Sequence, residues 1–206
     1  MSDKNLPDLS LYVDILQTLK RIEAPYMIIG AFAGIIYGIT RVTYDIDIVV
    51  DLDFGHIDAL AKAYPPPRYY ADPVMMRNSI GMGIMFNIID TDRGEKADLI
   101  PLTPDYTQAF TRRIKQSVEI PGMEPFEVWC ARQEDVIIGK LMAWAEGHSR
   151  KHESDIYDMM VFLQLGADPN LSQDFDEGYI DQAAVSLGTE VSQLWNAIKA
   201  SARREY

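Results

Sequence analysis

The sequence predicts an α/β (α+β) fold, a mixed sheet flanked by helices and followed by a C-terminal helical part. Three observations predict it. Short apolar or β-branched runs bounded by Gly, Pro or Asp alternate with amphipathic segments up to about residue 130. From Arg132 onward the pattern is helical to the end. Strands mixed with helices and then helices alone are the signature of a layered α and β architecture.

Residues 9–23 place Leu11, Ile15, Leu16, Leu19 and Ile22 on one stripe, an amphipathic helix. Tyr26 to Ile29 is a short apolar run ended by Gly30, a buried strand. Residues 31–38 suit a short helix closed by Gly38. Residues 43–50 (TYDIDIVV) alternate and are β-branched, a second strand. A helix over 55–64 is broken by three prolines at 65–67. Strands at 83–89 and 96–102 flank the turn DTDRG at 90–94. Residues 104–113 read as a helix, and 115–120 and 125–130 as strands. Helices follow at 132–146, 151–165, 176–187 and 189–203, separated by Gly147, Gly166–Pro169 and Gly188. The sheet-bearing core thus covers 1–130 and the helical region 131–206. Nothing between them has linker composition, so the helical region is expected to pack on the core.

Composition narrows the function classes. Of 206 residues, 48% are apolar and 24% charged, enough to build a soluble core. No run of about 18 apolar residues occurs, so no membrane span is expected. The opening MSDKNLPDLS has no signal-peptide character, and Cys130 is the single cysteine, so a reducing, cytoplasmic setting is expected. The net charge of −12 has the wrong sign for general DNA binding, which needs a basic footprint, but it attracts divalent cations.

The stretch from Gly30 to Asp53, GAFAGIIYGITRVTYDIDIVVDLD, carries the chemistry. Asp45 and Asp47 lie two apart on a predicted strand, where side chains share a face about 7 Å apart. Two carboxylates beside Ile46, Ile48, Val49 and Val50 repel one another unless a cation sits between them. Mg²⁺ takes oxygen ligands and is held by one or two carboxylates plus substrate phosphates. The bland alternative is an edge strand with Asp45, Asp47, Asp51 and Asp53 turned to water. Gly30 opens a helix whose free backbone N–H groups suit a phosphate, and Arg41 offers a planar fork for phosphate or for its acidic neighbours. Asp98, in KADLI, is the candidate third carboxylate.

These motifs in order resemble the nucleotidyltransferase superfamily, in which a Gly and a small residue are followed by a spacer and two aspartates one residue apart. Here Gly30-Ala31, thirteen residues and Asp45-Ile46-Asp47 fill that pattern. The segment is similar to bacterial AbiEii-type nucleotidyltransferase-like proteins, which include toxins of abortive-infection systems. The block EDVIIGKLMAWAEGHSRKHESDIYDM at 134–159 resembles the family's lysine-bearing helix and following acidic pair, here Lys140 with Asp155 and Asp158. The resemblance covers residues 26–165. Ala31 departs from the commoner Gly or Ser and removes a hydroxyl contact.

The resemblance implies a nucleotidyltransferase-like fold that moves a nucleoside monophosphate from a triphosphate such as ATP to an acceptor hydroxyl. Asp45, Asp47 and Asp98 would hold two Mg²⁺ ions, or Mn²⁺ in their place, with Asp98 helping to deprotonate the acceptor. Gly30, Ala31, Arg41, Thr43, Lys140 and Arg150 would bind the nucleotide, with Asp155 orienting Lys140 or Arg150. The acceptor is open among tRNA, another RNA, a protein and a small molecule. A toxin would have a cognate antitoxin. The competing readings are a catalytically silent binding or regulatory member of the fold, an antibiotic-modifying nucleotidyltransferase, and an unrelated domain with surface aspartates. His148 and His152 are not read as a zinc pair, because Gly147 breaks their helical face and no cysteine is near. Met75, Met76, Met82 and Met85 read as core filler or a lid. Trp129, Trp144 and Trp195 read as core, and Arg112, Arg113 and Lys115 as a small basic cluster on a solvated face.

Overall fold

The computed structural model describes residues 9–41, 43, 45–119, 124–166 and 174–204. The elements fall into two compact units, residues 1–32 with 42–130 and residues 33–41 with 131–206.

The first unit is built on a seven-stranded mixed sheet. Its strands are β1 (Tyr26–Ile29), β2 (Ile46–Val50), β3 (Tyr69–Tyr70), β4 (Phe86–Asp90), β5 (Glu95–Pro101), β6 (Ile114–Val118) and β7 (Phe126–Cys130), in the order β3-β4-β5-β2-β1-β7-β6. β2 is therefore central, parallel to β5 and antiparallel to β1. That position explains why Ile46, Ile48, Val49 and Val50 are all buried, since a strand covered on both faces reads as a continuous apolar run. It also removes the edge-strand reading of the aspartates: Asp51 and Asp53 lie beyond the strand, and Asp53 caps the next helix.

Three helices of this unit pack together beside the sheet: α1 (Ser10–Arg21), α3 (Phe54–Ala63) and α4 (Pro73–Met82). α1 buries Leu11, Ile15, Leu16 and Leu19 of the expected stripe, each contributing roughly 2 kcal/mol, whereas Ile22 falls at its half-buried C-terminus. α5 (Pro104–Arg112) leads into β6. α4 and the short β3 are elements the sequence reading leaves unassigned. Asp72 caps α4 through the N–H groups of Val74 and Met75, and Pro73 opens it. As a result Met76 is buried while Met75, Met82 and Met85 are exposed, so only one of the four methionines fills the core. The strand expected at 83–89 begins at Phe86, because Gly83 takes a left-handed conformation that closes α4.

The second unit holds the helices α6 (Gln133–Gly147), α7 (Arg150–Gln164), α8 (Glu177–Leu187) and α9 (Thr189–Ala202), packed on one another. His148 adopts φ 49° between α6 and α7, which breaks the helical face that His148 and His152 would have shared. The division between the units falls inside α2 (Gly30–Ile36). Residues 33–41 go with the helical unit for identifiable reasons. The Tyr37 hydroxyl donates to the Ala131 carbonyl at 2.6 Å, Gly38 lies against Phe162, and Thr40 and Arg41 bond to Asp158 and Asp155. Tyr44 of the expected strand at 43–50, residue 120 of the strand at 115–120, and residues 167–169 of the expected break lie outside the described residues.

Candidate functional site

Strand register brings the aspartates together. Asp47 on β2 is the direct partner of Asp98 on β5, and Asp98 is the direct partner of Asn87 on β4. Paired residues on neighbouring strands project to the same face at the strand spacing of about 4.8 Å. Asn87, Asp98 and Asp47 thus form one row across three strands. The row continues to Ile29, the partner of Asp47 on β1, and so to Gly30. Gly30 has φ +68°, and a Cβ added there would lie 2.1 Å from Asp47 Oδ2. Glycine is required twice over, by the backbone and by the carboxylate seated against it.

Asp45 lies just before β2, not on it, so strand alternation does not place its side chain. Thr43 organises this approach: its hydroxyl donates to the Asp45 carbonyl at 3.2 Å and accepts from the Asp45 N–H at 3.5 Å. Thr43 is buried and Asp45 exposed. Asp98 is nearly buried and accepts from the Asn87 side-chain amide.

Lys96 is the member that the sequence reading missed. It stands two residues before Asp98, hence on the same face of β5. Its ammonium lies 3.0 and 3.1 Å from the two Asp98 oxygens and 3.8 Å from Asp45 Oδ1. The hydrogen bond to Asp98, and then the charges of Asp98, Asp45 and Asp47, hold the Lys96 pKa above that of an ordinary lysine. The same negative field reaches the Tyr12 phenol, which burial first and then Glu95, Asp45 and Asp98 push up to about 12. The face is thus a set of hard oxygen donors that holds a cation in place, and that cation is an ammonium. The donor type fits a divalent ion. Among the described residues no three His, Cys, Asp or Glu side chains are gathered closely enough to hold a metal by themselves. A metal here would need substrate oxygens to complete its shell, as Mg²⁺ ordinarily does.

The second block forms its own cluster within the helical unit. Lys140 and Asp155 are both buried, with Nζ 2.6 Å from Oδ2. Arg41 donates Nε to Oδ1 at 2.7 Å and a terminal nitrogen to Oδ2 at 2.8 Å. Burial would raise the Asp155 pKa, but hydrogen bonds from Arg41 and Lys140 outweigh it and hold the carboxyl low. Burial lowers the Lys140 pKa against the pull of Asp155. Both oxygens of Asp155 are therefore engaged by Lys140 and Arg41, and Arg150 is exposed at the first turn of α7. Asp158 accepts from Thr40.

The remaining expectations sort as follows. Trp195 is buried, with its indole N–H on Asp181 at 2.6 Å. Trp144 bonds Glu153 at 2.7 Å and is only half-buried. Trp129 is also half-buried, with Arg113 and Lys115 at 5.0 and 5.5 Å from its ring, so these two members of the basic cluster lie against an aromatic face.

The chain matches solved structures at low identity. One is an antigenic nucleotidyltransferase-like protein from Paracoccidioides brasiliensis, 20% identical over 95% of this chain and 94% of that one, with a TM-score of 0.48. A second is the antibiotic-resistance factor ANT(2″)-Ia, 17% identical over 96% and 92%, with a TM-score of 0.45. A third is JHP933 from Helicobacter pylori, 16% identical over 95% and 92%, with a TM-score of 0.41. No curated protein matches the chain significantly. The family described as nucleotidyl transferase AbiEii toxin, Type IV toxin–antitoxin system, matches residues 27–192. With most of its length matched by that family, this chain belongs to the AbiEii nucleotidyltransferase family.

Proposed function

We propose that the chain transfers a nucleoside monophosphate from a nucleoside triphosphate to an acceptor hydroxyl, with Mg²⁺, or Mn²⁺ in its place, held at Asp45, Asp47 and Asp98. The observation that carries this reading is the register of Asp47 with Asp98, which sets two carboxylates side by side with the first against Gly30. A divalent ion bound there supplies charge neutralisation at the transferring phosphoryl group and Lewis acidity. The residues do the rest. Asp98, poised by Asn87, accepts the proton of the acceptor hydroxyl. The acceptor oxygen bonds to the α-phosphorus as the bond to the bridging oxygen breaks, and pyrophosphate leaves. Positioning and charge account for most of the rate in such transfers.

The nucleotide-binding roles of Gly30, Ala31, Arg41, Thr43, Lys140, Arg150 and Asp155 belong to the same proposal. Thr43 acts on the Asp45 backbone, and Asp155 acts by fixing Lys140 and Arg41. The family's description also supports a toxin role with a cognate antitoxin, and the acceptor classes are tRNA, another RNA, a protein or a small molecule.

The test is transfer of label from each of the four α-³²P nucleoside triphosphates into RNA and protein of a cell extract, with Mg²⁺. Labelling by the wild type and not by Asp47→Asn is the expected result. Equal labelling by both would refute the site.

A further inference from the structure

The proposed metal site explains the aspartates but not the lysine set among them. Asn87, Asp98 and Asp47 lie in register across β4, β5 and β2, and Lys96 shares the face of Asp98. Its ammonium is within 3.1 Å of both Asp98 oxygens and 3.8 Å from Asp45. A solvated lysine on a strand would extend into water. This side chain is 45% exposed and turns its head back onto the carboxylates.

We propose that Lys96 is the resident counter-ion of the aspartate face, and that a divalent metal and the Lys96 ammonium compete for it. This inference rests on the metal reading above. Asp47 and Asp98, paired on neighbouring strands, repel one another, and the ammonium, which also reaches Asp45 at 3.8 Å, relieves that repulsion when no metal is bound. A divalent ion that takes oxygens of Asp98 and Asp45 meets a positive charge already seated on them. Binding then requires the lysine head to swing out, which its long flexible stem allows. Lys96 thereby keeps the apo site ordered at a cost in metal affinity, so that metal binds firmly only when triphosphate oxygens add to the ligand set. Lysine suits this role better than arginine would, because its charge is compact and it makes no bidentate grip that would be costly to release.

The experiment is titration of Mn²⁺ into the intact chain, read by the electron paramagnetic resonance of free Mn²⁺, for wild type, Lys96→Gln, Lys96→Arg and Asp47→Asn. The melting temperature is recorded with and without Mn²⁺. Lys96→Gln should bind Mn²⁺ about tenfold more tightly than wild type, equivalent to about 1.4 kcal/mol. It should also melt lower without metal and gain more than wild type when metal is added. Lys96→Arg should bind no more tightly than wild type. Loss of binding in Asp47→Asn ties the signal to this face. If wild type binds and Lys96→Gln binds equally or more weakly, the competition is overturned while the metal site stands. If no variant binds Mn²⁺, Lys96→Gln included, either alone or with a non-hydrolysable ATP analogue present, the metal reading falls and the competition with it.

Discussion

Asp155→Asn should destabilise the helical unit more than Lys140→Met does, although the two residues form one ion pair. Lys140 and Asp155 are 7% and 1% exposed at the side chain, so neither charge has water to fall back on. Removing the carboxylate strands the Lys140 ammonium and releases both Arg41 bonds. Breaking a buried pair from one side costs about 3–5 kcal/mol. The value here belongs near the lower end, because Arg41 is partly exposed and can turn to solvent. Removing the lysine instead leaves Asp155 with its two-pronged Arg41 contact, and the loss falls to about 1–2 kcal/mol. The double variant should cost less than the sum of the two, by about 1–3 kcal/mol of coupling.

The pH dependence carries a sign. The Asp155 pKa is held below the usual carboxylate range, so its contribution is complete above that range and is lost as pH falls through the depressed value. In Asp155→Asn, Lys140 loses the bond that opposes its burial, and its pKa drops further. The folded state of the variant then binds the Lys140 proton less tightly than the unfolded chain does, so its deficit shrinks as pH rises towards the unfolded lysine value near 10.4. The assay is hydrogen exchange of the α6 and α7 amides alongside urea unfolding. A loss in Asp155→Asn smaller than in Lys140→Met, or a deficit that grows with pH, would refute the reasoning.

Two further outcomes follow from local geometry. Gly30→Ala places a methyl group where Asp47 Oδ2 sits and forces a positive φ on alanine. It should cost about 1–2 kcal/mol from the backbone alone, and transfer activity should fall further than stability because Asp47 must move; an active variant with wild-type melting would count against the close approach. Asp53→Ala removes the carboxylate that accepts from the His56 N–H at 2.8 Å and closes the capping box of α3. Urea unfolding should show a loss of about 1 kcal/mol with activity intact, and an unchanged midpoint would argue against the cap.

The legible features were those set by local pattern. The β-branched run at 46–50, the glycine breaks and the helical periodicity after Arg132 each report a short-range preference, and the elements formed there. α4 carries a readable cap in Asp72-Pro73, but its exposed Val74, Met75 and Met82 blur the apolar stripe that would mark a helix. The aspartates could be picked out by type and spacing, but not the register that pairs Asp47 with Asp98, which depends on strands far apart in the chain. Lys96 stands in KADLI at same-face spacing to Asp98, but an ammonium is not a metal ligand, so the donor chemistry that marks the aspartates does not mark it. The burial of Lys140 against Asp155, and the attachment of residues 33–41 to the helices, are tertiary events between helices that no spacing along one segment encodes.

The most direct test is calorimetric titration of ATP, GTP, CTP and UTP with and without Mg²⁺, against the wild type and Asp47→Asn. Binding of at least one triphosphate that requires Mg²⁺ and disappears in Asp47→Asn is the predicted result. Binding that is indifferent to the metal, or that Asp47→Asn retains in full, would contradict a metal-assisted nucleotidyl transfer site on this face.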